Sequence, residues 1–130
     1  MSGPALSADS LSVSLTVNDV QRSIQFYRDA LGCEVVDRHE IKGTVQYAEL
    51  RAGGAQIGLG QDDFAKGRDR AKGIGMRLQI STTQDVTALA ARVKAAGVTL
   101  DDGPKALPWG PMGFMLTDPD GYKITVSNPR

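Results

Sequence analysis

Apolar and polar residues alternate from Leu11 to Val17. Leu11, Val13, Leu15 and Val17 are apolar, and Ser12, Ser14 and Thr16 between them are small and polar. A period of two predicts a strand with one face in a core. The period then changes. Val20, Ile24, Tyr27 and Leu31 form one stripe, which predicts a helix starting at Asn18 or Asp19 and closing on Gly32. The same change recurs later, where Val86, Leu89, Ala90 and Val93 form a stripe between Thr83 or Asp85 and Gly97. Strand patterns at 34–39, 45–50 and 55–60 follow the first helix, and others at 98–100, 113–117 and 122–127 follow the second. The turns "RAGG" and "DPDG" precede the last strand of each set, which makes Gly54 and Gly121 equivalent.

The chain therefore reads as β-α-β-β-β twice, with modules at about 11–60 and 74–128 joined by "QDDFAKGRDRAKG". One helix on a few strands leaves a sheet face uncovered, so the two units need each other. The fold class expected is α+β, with two βαβββ modules forming a curved mixed sheet around a concave cleft, helices outside. A single domain covers 11–130, and residues 1–10 form a flexible N-terminal arm.

If the apolar face of each strand meets its helix, the alternate face lines the cleft. That face carries Ser12, Ser14 and Thr16 on the first strand, and Gln56, Gly58 and Gly60 on "AQIGLG". In the second module it carries Gly75, Arg77 and Gln79 on "GMRLQI", and Lys123, Thr125 and Ser127 on "YKITVS". A small or polar lining suits a ligand cavity better than a packed core.

Composition narrows the partners. The 130 residues include 15 basic and 15 acidic side chains, a balance that points to neither nucleic acid nor a membrane surface. The N-terminal "MSGPALSADS" lacks the basic start and apolar stretch of a signal peptide, and no apolar run is long enough to span a bilayer. One cysteine, Cys33, excludes an internal disulfide and suits the cytoplasm. Its place after Gly32 favours a small buried thiol.

The doubled β-α-β-β-β pattern, with "FYRDALG" in the first helix and "DPDGYKI" entering the last strand, resembles the vicinal oxygen chelate superfamily. Its members include glyoxalase I, extradiol dioxygenases, fosfomycin-inactivating enzymes and bleomycin resistance proteins. The stretch "PWGPMGFMLTDPDG" is similar to a segment of the antibiotic-resistance branch. In the metal-dependent members each module supplies a ligand, His or Glu, from its first and its last strand. Carried over, those positions fall on Ser12, Gly58, Gly75 and Thr125. A neutral hydroxyl is a poor sole ligand for a transition metal, and glycine offers none. The resemblance thus implies the fold and a homodimer, with clefts at or near the interface, and the residues imply no metal and no cofactor.

Other polar residues offer little to a metal. His39 is the only histidine and stands outside the set; a surface or structural role is expected. Asp62, Asp63 and Asp69 read as solvated charges, and "DPDG" as a tight turn. Phe64 is the one linker residue expected to be anchored. No base stands near Cys33 or the serines for nucleophilic catalysis, although Glu49 or Tyr47 leaves acid–base chemistry open.

The candidates for contact with an organic ligand are Ser12, Ser14, Tyr47, Gln56, Arg77, Gln79, Trp109, Phe114, Lys123 and Thr125. Trp109 is either a stacking wall or a hydrophobic lid. Met112 and Met115 read as core filling or as an adaptable lining. An inward Arg77 needs an acidic partner such as Glu49, water, or an anionic ligand. Three functions follow. The first is a metal-independent small-molecule-binding protein of the bleomycin resistance type. The second is a glyoxalase-like isomerase or lyase without the usual metal site, and the third is an accessory or regulatory protein-interaction module.

Overall fold

The computed structural model describes residues 5–130. Residues 5–10, the end of the expected N-terminal arm, are exposed; residues 1–4 lie outside the described residues. The first module comprises β1 (Ser12–Val17), α1 (Val20–Leu31), β2 (Glu34–Ile41), β3 (Thr44–Ala52) and β4 (Ala55–Gln61). The second comprises β5 (Arg77–Ser81), α2 (Val86–Ala95), β6 (Asp102–Ala106), β7 (Met112–Thr117) and β8 (Lys123–Ser127).

Local chemistry fixes both helices. The Asp19 side chain accepts from the Arg22 amide at 3.2 Å, and that of Asp85 accepts from the Thr87 amide at 2.9 Å. Gly32 ends α1 at φ 75°, a left-handed turn that lets its N–H reach the Arg28 carbonyl at 3.0 Å. The predicted stripes are the buried faces: Val20, Ile24 and Tyr27 in α1, and Val86, Ala90 and Val93 in α2.

Each module folds its strands into one mixed sheet, in the orders β1-β4-β3-β2 and β5-β8-β7-β6. In both, the first and last strands run parallel and the others antiparallel. The helices pack on their own sheets and on each other, and one hydrophobic core runs through both modules. Tyr27, Phe114, Leu15, Leu50 and Ile124 are among its fully buried side chains, each stabilising the fold by about 1.5–3 kcal/mol.

The strand expected at 98–100 begins later, at Asp102. Val98 and Leu100 are half-buried against the core, so their alternation is real, but β6 finds its partner only from Asp102, opposite Met115. Asp62 also departs from expectation. It is buried, with Lys72 Nζ at 2.8 Å and an Arg70 nitrogen at 3.2 Å, and it accepts from the Phe64 amide at 2.9 Å. The linker therefore folds back on the end of β4. Phe64 is half-buried, with the Arg68 guanidinium 4.3 Å above its ring centre.

The "DPDG" turn holds the modules together. Asp118 is buried and accepts from Tyr27 Oη at 2.8 Å, and from the amides of Tyr122 and Asp120 at 2.8 and 2.9 Å. Asp120 accepts from the Asn18 amide at 2.9 Å, and Tyr122 Oη donates to the Thr16 carbonyl at 2.7 Å. Burial, with the Asp118 charge second, drives the Tyr27 hydroxyl far above its ordinary range, so Tyr27 is a permanent donor here.

Candidate functional site

Because both helices cover one face of each sheet, the opposite faces are open. On the open face of the first module stand Ser12, Ser14 and Thr16 of β1, and Gln56, Gly58 and Gly60 of β4. Strand register adds Tyr47 and Glu49 of β3, opposite Gly60 and Gly58. His39 and Asp37 of β2 follow, opposite Tyr47 and Glu49. On the second module the open face carries Arg77 and Gln79, then Lys123, Thr125 and Ser127, then Met115 and Thr117.

Most of the sequence-predicted residues are thus brought to these two faces. Phe114 is not. It is fully buried on the helix side of β7, in the core. Every residue from Met112 to Leu116 except Gly113 is apolar, so alternation gives no phase. The hairpin supplies it: Thr117 lies opposite Lys123 and Met115 opposite Thr125, which puts Met115 on the open face in place of Phe114. Gly75 is also displaced, since it precedes β5; the residue beside Thr125 is Gln79. Trp109 stands at the tip of the β6–β7 hairpin, 37% exposed.

The last strand of each module is roofed at equivalent points. A Cβ built on Gly58 would overlap the Tyr47 hydroxyl, so glycine is what lets the Tyr47 ring lie across β4. In the second module Thr125 is 1% exposed, and its Oγ1 accepts from an Arg77 guanidinium nitrogen at 3.2 Å. Arg77 and Glu49 do not pair: no ion pair within 4 Å involves either, among the described residues.

Two cavities flank the seam between the modules. One, of about 400 Å³, lies where the edge strands β1 and β5 face one another without pairing. It is lined by Ser12, Val13, Gln56, Met76, Arg77 and Gln79 among others. The other, of about 770 Å³, opens on the helix side beside Cys33, Leu89 and Arg92; Phe114 is the one predicted contact residue that lines it. Burial pushes the Cys33 thiol up to about 11, so it is no thiolate at neutral pH.

The side chains at the family's ligand positions do not suit a metal. Of the positions the family resemblance assigns to ligands, the strands hold Ser12, Gly58 and Thr125, and Gln79 rather than Gly75 stands beside Thr125. No group of three His, Cys, Asp or Glu side chains converges on one point among the described residues. Arg77 adds a positive charge over Thr125, where a cation would be repelled. No helix is long and apolar enough to cross a membrane, among the described residues.

The family model described as the Glyoxalase/Bleomycin resistance protein/Dioxygenase superfamily matches residues 10–126. TnmS3, an antibiotic binding protein from Streptomyces sp. CB03234, is 27% identical over 98% of this chain and 100% of its own, with a TM-score of 0.71. The integron cassette protein VCH_CASS1 from V. cholerae is 25% identical over 98% of this chain and 100% of its own, with a TM-score of 0.72. A virulence protein from Salmonella typhimurium is 26% identical over 96% of this chain and 100% of its own, with a TM-score of 0.70.

Proposed function

The chain belongs to the glyoxalase/bleomycin resistance protein/dioxygenase superfamily, and we propose that within it this protein binds a small organic molecule without a metal. The ligand lies on the helix-free faces, at the seam of the two modules. The observation that carries this reading is the pair of roofed positions. Where metal-dependent relatives would place ligands on the last strands, Tyr47 covers Gly58 and Arg77 covers Thr125. A ring and a guanidinium in those places serve recognition of an organic ligand better than coordination of an ion. The likeness to TnmS3, described as an antibiotic binding protein, supports the same class.

The chain works as a homodimer in the cytoplasm. Two copies meeting over the open faces turn exposed surface into an enclosed cleft. Tyr47, 38% exposed in the single chain, supplies apolar area for the closure.

The test combines metal analysis with a ligand screen. Protein purified with zinc, nickel and iron present should carry no stoichiometric ion; one ion per chain overturns the metal-free reading. A specific ligand at about a hundred times its Kd should stabilise the native state by about 2.7 kcal/mol in thermal shift. Tyr47→Ala should weaken that ligand, and Trp109→Ala tests whether the hairpin tip reaches it. Hits indifferent to Tyr47→Ala place the site elsewhere.

A further inference from the structure

Arg77 and Lys123 are direct neighbours on the parallel strands β5 and β8, and both project from the open face into solvent. Like charges side by side on a sheet repel. Each is held by a hydroxyl instead of a carboxylate. Arg77 donates to Thr125 Oγ1 at 3.2 Å, and Lys123 Nζ donates to Thr117 Oγ1 at 2.8 Å. Neither has a carboxylate oxygen within 4 Å among the described residues, but the Thr117 hydroxyl that holds Lys123 also donates to Asp101. The two threonines fix both cations next to each other; Lys123 is linked through its hydroxyl partner to Asp101, and Arg77 has no such carboxylate.

The space beside Arg77 is not polar throughout. The seam cavity of about 400 Å³ has Arg77 and Gln79 on one wall. Leu11, Val13, Ile57 and Met76 make much of the remainder, with Leu11 88% and Met76 40% exposed. A charged group at one end and an apolar chamber at the other match an amphipathic solute.

We infer that the ligand is an organic monoanion, an aromatic carboxylate of one or two rings or a close equivalent, whose charged end sits between Arg77 and Lys123 and whose apolar body fills the β1–β5 seam. This rests on the proposed binding function and names the chemical class that the site takes. Arg77 is the main contact, because its planar fork meets a carboxylate with two parallel hydrogen bonds. Lys123 adds charge as a single point. Gln79, on the same wall, is placed to donate to a second oxygen.

The experiment uses the full chain with 2-naphthoate and its neutral counterpart 2-naphthamide, followed by isothermal titration and by amide chemical shifts. Naphthoate should bind at one site and shift amides of β1, β5 and β8, and naphthamide should bind about tenfold more weakly or worse. Arg77→Gln should weaken naphthoate about tenfold and Lys123→Gln by a smaller factor. Lys94→Gln, on exposed α2 surface, should leave affinity unchanged. Equal binding of acid and amide, with shifts still at the seam, overturns the anion and leaves the binding function standing. Binding with shifts confined to the helix side overturns both, and no binding of naphthoate at millimolar concentration overturns the anion. If Arg77→Gln and Lys123→Gln leave naphthoate affinity intact but convert a dimer to monomers in sedimentation, the cations serve a second copy of the chain, and the inference falls.

Discussion

The two modules repeat one backbone plan, yet their equivalent hairpins behave as opposites. In the first module the β3–β4 turn, "RAGG", is exposed at its tip, and Cβ atoms added to Gly53 or Gly54 would meet nothing. In the second the β7–β8 turn, "DPDG", carries a buried carboxylate that reaches the first module's helix. The open faces diverge as well. The first module sets Asp37 beside Glu49, and the second sets Arg77 beside Lys123. A duplicated fold needs one joint between its halves, and once one hairpin supplies it, the other is released from that duty. The joint is in the second module, and the first module's turn is free to be only a turn.

The largest effect should follow from breaking the joint. Asp118→Ala leaves the Tyr27 hydroxyl and the Asp120 and Tyr122 amides without their acceptor in a buried place. Urea unfolding should show a loss of about 2–4 kcal/mol, the range for stranding several buried donors at once. Gly54→Ala, at the equivalent position to Gly121 and with open space around it, should stay within about 0.5 kcal/mol of the parent. Equal losses in the two variants would erase the difference between the hairpins.

How far the sequence reveals this depends on the kind of force involved. The repeat, both helices with their caps, and the polar faces of β1, β4, β5 and β8 follow from periods of two and four, because burial acts on every residue of an element alike. The joint is not periodic. "DPDG" reads as a turn from its residues alone, and only the packing of α1 against it makes Asp118 an acceptor for Tyr27. Asp62 misleads for the same reason, since its cations come from eight and ten residues on, through a linker whose path has no pattern. At the site, Phe114 and Met115 are interchangeable in an apolar run, and their sides are decided by register from Lys123.

A smaller effect should separate the two roofs. Thr125→Val removes the buried hydroxyl under Arg77 and should cost about 1 kcal/mol, the ordinary value of one hydrogen bond. Gly58→Ala has two opposing parts. Alanine loses less backbone entropy than glycine in a strand, a gain of roughly 0.5–1 kcal/mol, but its methyl group displaces the Tyr47 hydroxyl. Tyr47 is 38% exposed and can swing aside, so the single variant should be close to neutral. In a Tyr47→Ala background the displacement vanishes and Gly58→Ala should stabilise. A double-mutant cycle in urea reads the coupling directly. Simple additivity would mean that the ring does not lie over Gly58.

The smallest effect, and the one that distinguishes the two ends of the junction, is its pH dependence. Burial raises Asp118 above the ordinary carboxylate range, outweighing the hydrogen bonds that favour its charge. The Lys72 ammonium beside Asp62, with the Phe64 amide, holds that carboxyl down at about 2. A raised acid takes up its proton more readily folded than unfolded, so Asp118 adds stability as pH falls through its folded value towards the ordinary range. Asp62 does the reverse: its contribution is complete above the ordinary range and is lost as pH falls towards about 2. Relative to the parent in urea unfolding, Asp118→Asn should therefore lack a rise in stability on the way down to the carboxylate range. Asp62→Asn should lack a fall below it. Matching slopes in the two variants would show that the carboxylates share one environment, and the junction would then be symmetric after all.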